Sequence, residues 1–450
     1  MTVIKKVDKY IEEKLDQNLK ELSEFCSIAG ISAKNTFLSE AADYTKNMFE
    51  KRGFATQVFT TEGAPVVFAE RKGKSDKTLL FYNHYDVQPA EPLALWKSDP
   101  FQAEIRDGKM YARGVSDDKG HLTSRLFAID ALLDQMEELP CNIKFIVEGE
   151  EETSSMNLEA FVKTHADLLK ADGCVWEFGA VDFDETPLQY LGLRGICYVE
   201  LEVETANQDV HSGIGGSIFP NAAWRLIWAL NTLKDSDENI LIPGFYDDVL
   251  PPTEEDIQFF QELPDKAKQY HDQYGIEAFL GGLQGGVELA VAEVFHPTCT
   301  ICGLTSGYQG PGSKTVLPAK ASAKIDFRLV PDQKPEKILA LLREHLDRQG
   351  FSDVKVTYLG GGAPGRTDPF DPFVQVVVNA ANEVYEKQMK IVPMVGGSGP
   401  NSMFIEHLNI PIVTAGIGYS ETLSHAPNEN IRLADYIKGA KHIARIILNF

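Results

Sequence analysis

Apolar and polar positions change their period twice along the chain. Over roughly the first 190 residues, helix-spaced segments alternate with short continuous apolar runs. The opening MTVIKKVDKYIEEKLDQNL has the pattern of an amphipathic helix, and SEAADYTKNMFEKRG that of a helix capped by Ser39. KTLLFYNHYDV, NIKFIVEGE and DGCVWEF are apolar runs of buried-strand length, separated by the helical HLTSRLFAIDALLDQMEEL and LEAFVKTHADLLK. Strands separated by helices predict a mostly parallel sheet covered on both faces, with its site outside the strands' carboxyl ends.

Near residue 195 the period becomes two. Val199, Leu201 and Val203 alternate with Glu200, Glu202 and Glu204, and Ile325, Phe327 and Leu329 alternate with Asp326 and Arg328. Such strands have one wet face. With helices FPNAAWRLIWALNTL and PEKILALLREHL and strand DVKVTYL, they predict an α+β sandwich holding a poorly periodic, Gly- and Pro-rich stretch at 240–315. After GGGAPGRTDP the α/β pattern resumes with helix FVQVVVNAANEVYEK, strand IPIVTAG and helix ADYIKGAKHIARIILNF. The expected fold is therefore an α/β domain of residues 1–192 and 367–450, interrupted by an α+β insertion at 193–366.

At 450 residues the chain is too long for one ordinary core. Its 43% hydrophobic and 24% charged residues fit a soluble globular protein. A net charge of −23 argues against nucleic acid as the main partner. No apolar run approaches the roughly 20 residues that span a bilayer, and the start lacks the pattern of a signal peptide. Six cysteines, only Cys299 and Cys302 of them closely spaced, suit a reducing, cytoplasmic setting.

Candidate chemistry gathers at predicted strand ends. His84 and Asp86 are two apart on a strand and share a face, either as a ligand with its orienting acid or as a structural pair. Asp117 and Asp118 precede a long helix, where capping is the alternative. Glu148, Glu150, Glu151 and Glu152 close one apolar strand, Glu177 ends another, and His425 lies in the late loop LSHAPNEN. Two imidazoles among several carboxylates suit zinc or manganese and a two-metal hydrolytic centre. Phosphate-loop, serine-hydrolase elbow and H-E-x-x-H patterns are absent.

In order, FYNHYDVQP, YARGVSDDKG, EGEEETSS, the acid of VWEFG, DVHSG, IDFRLVP and SHAPNEN resemble the aminoacylase and carnosinase family of di-metal peptidases, over nearly the whole chain. IPGFYDDVLPPTEED and GSKTVLP are similar to an inserted segment of its carnosinase-type dipeptidases. The resemblance implies a metal-binding α/β domain split by a lid domain that mediates homodimerisation. It implies two divalent ions, zinc or manganese, a small peptide or acyl-amino-acid substrate, and neither a nucleic acid nor a membrane partner. His84 matches the histidine of one metal, Asp117 the bridging aspartate (commonly followed by a cis peptide) and Asp86 the acid orienting His84. Glu151 matches the general base and Glu152 a metal ligand, leaving Glu150 a bystander. Glu177 and His425 match the carboxylate and histidine of the second metal. His211 matches a lid histidine that steadies the oxyanion in the partner subunit's site. Thr315, Arg328, Gly397 and Ser398 match substrate contacts. The activity implied is hydrolysis of dipeptides or short peptides, or alternatively of N-acyl amino acids. Position 177 departs from the dipeptidase pattern, where Asp is typical; Glu there is more usual in deacylases and carboxypeptidase-type members.

Overall fold

The computed structural model describes residues 2–450. Two compact units result. The first runs to Gly192 and resumes over Arg366–Pro393 and Met403–Phe450; the second comprises Leu193–Gly365 and Met394–Ser402. Residues 394–402, which the sequence pattern assigns to the α/β part, thus belong with the second unit. Met394 anchors them there, packed with Phe260, Val294 and Phe295.

The first unit is built on a six-stranded sheet ordered Ala55–Phe59, Val66–Arg71, Asn142–Glu148, Thr78–His84, Gly173–Trp176 and Ile412–Thr414. The last four run parallel, and the first two pair antiparallel at the other edge. Thr78–His84 is buried from Leu79 onward, which accounts for its unbroken apolar run. Beside the sheet, helix Lys119–Gln135 is buried at every position from Lys119 to Ile129, so even its polar side chains there face the interior and not solvent. A side chain at Gly120 would place its Cβ 1.9 Å from the Val115 carbonyl oxygen, so only glycine permits this close start.

Two local expectations change. Helix Leu38–Glu50 starts one residue before Ser39, after Phe37 in a left-handed conformation and without a side-chain cap. The segment LEAFVKTHADLLK breaks at His165 into helices Leu158–Thr164 and Ala166–Leu169, with the imidazole against the rings of Phe59 and Phe161. Strand Val66–Arg71, whose first four residues are all buried, adds an element to those expected.

In the second unit, Thr300–Ser306, Lys320–Leu329, Gly195–Glu204 and Lys355–Gly362 form an antiparallel sheet in that order. Val199 faces Ile325 and Leu201 faces Ala323, so the period of two becomes one apolar layer. Helices Ala222–Leu230 and Pro335–Arg348 pack on that layer through Leu226, Ile338 and Leu342. The stretch expected to be irregular also contains helices Glu254–Gln261, Ala267–Tyr274 and Gly286–Phe295.

His442, on the final helix Leu433–Asn449, is buried with Nε2 3.0 Å from the Val377 carbonyl oxygen. Burial, opposed by that hydrogen bond and assisted by Arg445, pushes its imidazole from 6.5 down to about 4. A depressed histidine stabilises the fold above its unfolded pKa, and this contribution fades as pH falls from about 6.5 toward 4. The stability advantage of wild type over His442→Leu should therefore shrink by about 2 kcal/mol between pH 7 and pH 5. Urea unfolding at the two pH values checks this; parallel losses in both proteins would refute it.

Candidate active site

Strand Thr78–His84 delivers His84 to the carboxyl edge of the first unit's sheet. His84 Nδ1 lies 3.0 Å from the Asp86 carbonyl oxygen and 3.3 Å from Asp86 Oδ1, and Nε2 lies 3.0 Å from Asp117 Oδ1. The Asp86 carboxylate also accepts the backbone N–H groups of Glu151 (3.3 Å) and Glu152 (3.1 Å). One buried acid thus orients an imidazole and fixes the turn that carries two further acids. Glu150 points away, accepting from Asn157 Nδ2 at 2.9 Å.

The neighbouring acids Asp117 and Asp118 separate in space, and the peptide bond between them is cis. Asp118 is buried and accepts from Asn83 Nδ2 at 2.6 Å and the His84 N–H at 3.1 Å. Asp117 instead meets both imidazoles, with its Oδ2 3.0 Å from His425 Nε2. The same His425 nitrogen is 3.0 Å from Glu152 Oε2. Asp117, Glu152 and His425 together offer ligand atoms within 4.8 Å of one another. The expected grouping of His425 with Glu177 therefore changes: Glu152 is the acid beside His425. Glu177 is buried, and its Oε2 has no hydrogen-bond partner among the described residues.

The electrostatics of these groups suit a cation. Burial first, then the charge of Glu151, raises the Glu177 carboxyl well above its ordinary value. Glu151 is raised as well, by burial and by Glu152, Asp117 and Asp86 against His84. Burial would raise Asp117 too, but hydrogen bonds with His425 and His84 outweigh it and hold that acid well below the usual range. Hydrogen bonds to Asp117 and Glu152 push His425 up to about 10. Each imidazole thus sits among carboxylates as a positive charge would, and a divalent ion would satisfy the same acids while the histidines bind as neutral bases. A buried acid with an unpartnered oxygen and two histidines among carboxylates fit a centre for divalent ions.

The sequence model of the peptidase family M20/M25/M40 matches residues 80–449. The chain belongs to this peptidase family. It is a metallopeptidase, and its centre takes divalent ions. The Beta-Ala-His dipeptidase of Rattus norvegicus is 30% identical over 85% of the chain and 79% of its own length. The Cys-Gly metallodipeptidase DUG1 of Saccharomyces cerevisiae is 30% identical over 84% of the chain and 81% of its own. Among solved structures, the M20 family metallo-carboxypeptidase Sso-CP2 from Sulfolobus solfataricus superposes with a TM-score of 0.93 at 38% identity, covering 96% of this chain and 98% of that one.

The expected substrate contacts lie in the second unit, in two groups. His211 Nδ1 accepts the Gly213 N–H at 3.0 Å, and its Nε2 is 3.4 Å from Thr315 Oγ1. Arg328 donates to Ser398 Oγ at 2.9 Å, with Asp326 Oδ2 3.3 Å from its Nε, and the Gly397 carbonyl accepts the Arg194 N–H.

One structural acid of this peptidase escapes sequence reasoning although it lies inside SHAPNEN. Glu429 is fully buried and pairs with Arg113 Nη1 at 2.5 Å. It also accepts the N–H groups of Gly114, Ser116 and Asp117 at 2.9–3.0 Å, holding the loop that presents Asp117. Nothing in a polar loop sequence distinguishes an acid that turns inward. Glu429→Gln would leave Arg113 buried without its counter-charge, at a cost of about 3–5 kcal/mol. Urea unfolding of the metal-free protein should show that loss, and an unchanged midpoint would refute the account.

Proposed function

We propose that the protein hydrolyses the amide bonds of dipeptides or short peptides with two divalent ions, zinc or manganese. His84, Asp117, Glu152, Glu177 and His425 would hold them, Asp117 serving both because it lies between the two imidazoles. The observation that carries this reading is the meeting of both histidines on one aspartate, beside buried acids raised by burial and mutual repulsion. Divalent ions held there would supply a water of lowered pKa, toward ~7, and would polarise the scissile carbonyl. Asp86 holds His84 in place and fixes the Glu151 backbone. Glu151 takes the proton of the attacking water and returns it to the leaving amine; its raised proton affinity suits both halves of that exchange. His211 with Thr315 would steady the developing oxyanion in the site of the partner subunit, and Arg328, Ser398 and the Gly397 backbone would contact the substrate, Arg328 being suited to a carboxylate.

A homodimer is supported by the second unit's surface. Edge strand Thr300–Ser306 exposes Ile301 and Leu304, and helix Ala222–Leu230 exposes Trp224, Ile227 and Trp228. The six cysteines form no disulfide, in keeping with a reducing, cytoplasmic location. No helix among the described residues is long and apolar enough to cross a membrane. Replacing Ile301 and Leu304 together by Lys should yield a monomer by sedimentation; an unaltered dimer would exclude this edge as the interface.

Glu177 and the similarity to a metallo-carboxypeptidase favour a second reading, release of the C-terminal residue of longer peptides or cleavage of N-acyl amino acids. A panel of dipeptides, longer peptides and N-acetyl and N-succinyl amino acids separates these. Dipeptide cleavage is expected, and activity confined to acylated substrates would overturn the peptidase specificity. Glu151→Gln should keep its metal content while kcat falls roughly 10²–10⁴-fold. Full activity in that variant would remove Glu151 from the chemistry.

A further inference from the structure

Arg125 is a fully buried cation that the proposed hydrolysis does not use. It lies on helix Lys119–Gln135 and reaches three strand ends at once. One terminal nitrogen donates to the Tyr82 carbonyl (2.8 Å) and to Asn83 Oδ1 (2.6 Å). The other donates to the carbonyls of Trp176 and, at 3.4 Å, Ala415. Tyr82 and Asn83 precede His84, and Trp176 precedes Glu177. The guanidinium therefore grips the backbone where both of those ligands leave the sheet.

Its second connection runs through Asn83, whose Oδ1 accepts from Arg125 and whose Nδ2 donates to Asp118. Asp118 in turn accepts the His84 N–H. No carboxylate contacts Arg125 directly, and its Nε has no partner among the described residues. Desolvation lowers the guanidinium to about 10, and the nearby Asp118 carboxylate acts against that loss. A buried guanidinium without a carboxylate partner is costly to desolvate, and here four oxygens at the strand ends and the Phe81 ring, 5.6 Å away, are what offset that cost. The residues it does not grip are equally telling. Glu152 and His425, on the turn after Asn142–Glu148 and in the 423–429 loop, have no hydrogen bond to it.

We propose that Arg125 is a positioning residue for the ion held by His84 and Glu177, fixing the backbone that carries both ligands and placing a positive charge toward Glu177 and Asp118. This role rests on the two-ion reading above, with Glu152 and His425 serving the other ion.

Titrating metal-free wild type and Arg125→Met with Zn²⁺ against a colorimetric chelator resolves the number and affinity of the ions, and urea unfolding of the metal-free chains reports on the fold. The wild type should take up two ions per chain. R125M should keep one at wild-type affinity and bind the other roughly ten- to a hundred-fold more weakly. His425→Ala should lose the opposite ion, so that the double variant holds neither tightly. Arg125→Lys keeps the charge but offers a single nitrogen; it should show the same selective loss in smaller measure, and it decides the matter if R125M does not fold. Equal weakening of both ions, no weakening, or failure of both variants to fold overturns the role of Arg125 and leaves the two-ion reading standing. A wild-type chain that holds a single ion overturns that reading and the role of Arg125 with it.

Discussion

Mutual repulsion among Asp86, Asp117, Asp118, Glu151, Glu152 and Glu177 is the constraint around which the first unit is organised. Two like charges 4 Å apart repel by about 4 kcal/mol at the effective dielectric near a protein surface. The structure answers with hydrogen bonds placed one acid at a time. Asp86 takes two backbone N–H groups, Asp118 takes Asn83 and the His84 N–H, and Asp117 takes two imidazoles. Glu177 is left with an unpartnered oxygen, and divalent ions complete what the protein's own donors leave undone.

The sheet makes this concentration possible. Parallel strands bring their carboxyl ends to one edge, so residues far apart in sequence converge without long loops. His84 and Glu177 come directly from strand ends, and Glu151 and Glu152 from the turn just after one. Asp117 is supplied by a loop, which needs separate support, and Glu429 with Arg113 provides it. Rigid elements thus present most of the centre, and a buried ion pair fixes the part that no element presents.

A peptidase of this kind needs a base of high proton affinity beside acids that stay ionised. Burial and neighbouring charge spread the proton affinities of these acids widely. Glu151 is raised by burial and by neighbouring acids, whereas Asp117, held by two imidazoles, is lowered. Side chains of the same chemical class thus differ in proton affinity through their environment.

Much of this was legible in the sequence. Runs such as TLLFYNH and the alternation of Val199, Leu201 and Val203 disclosed the α/β and α+β parts, because burial on two faces or one dictates the period of apolar positions. His84 and His425 stood out as imidazoles among acids, while Asp117 and Glu152 were singled out from their acidic neighbours only by the family resemblance. Tertiary structure alone decided the rest. It placed Glu152 rather than Glu177 beside His425, and it moved residues 394–402 to the second unit through Met394. It turned Glu429 and Arg125 inward as buried charges, where a linear pattern shows only a polar loop and one side of a helix. Periodicity records whether a residue meets solvent or core; which distant residue it meets, and with what charge, depends on contacts that exist only after the chain has folded.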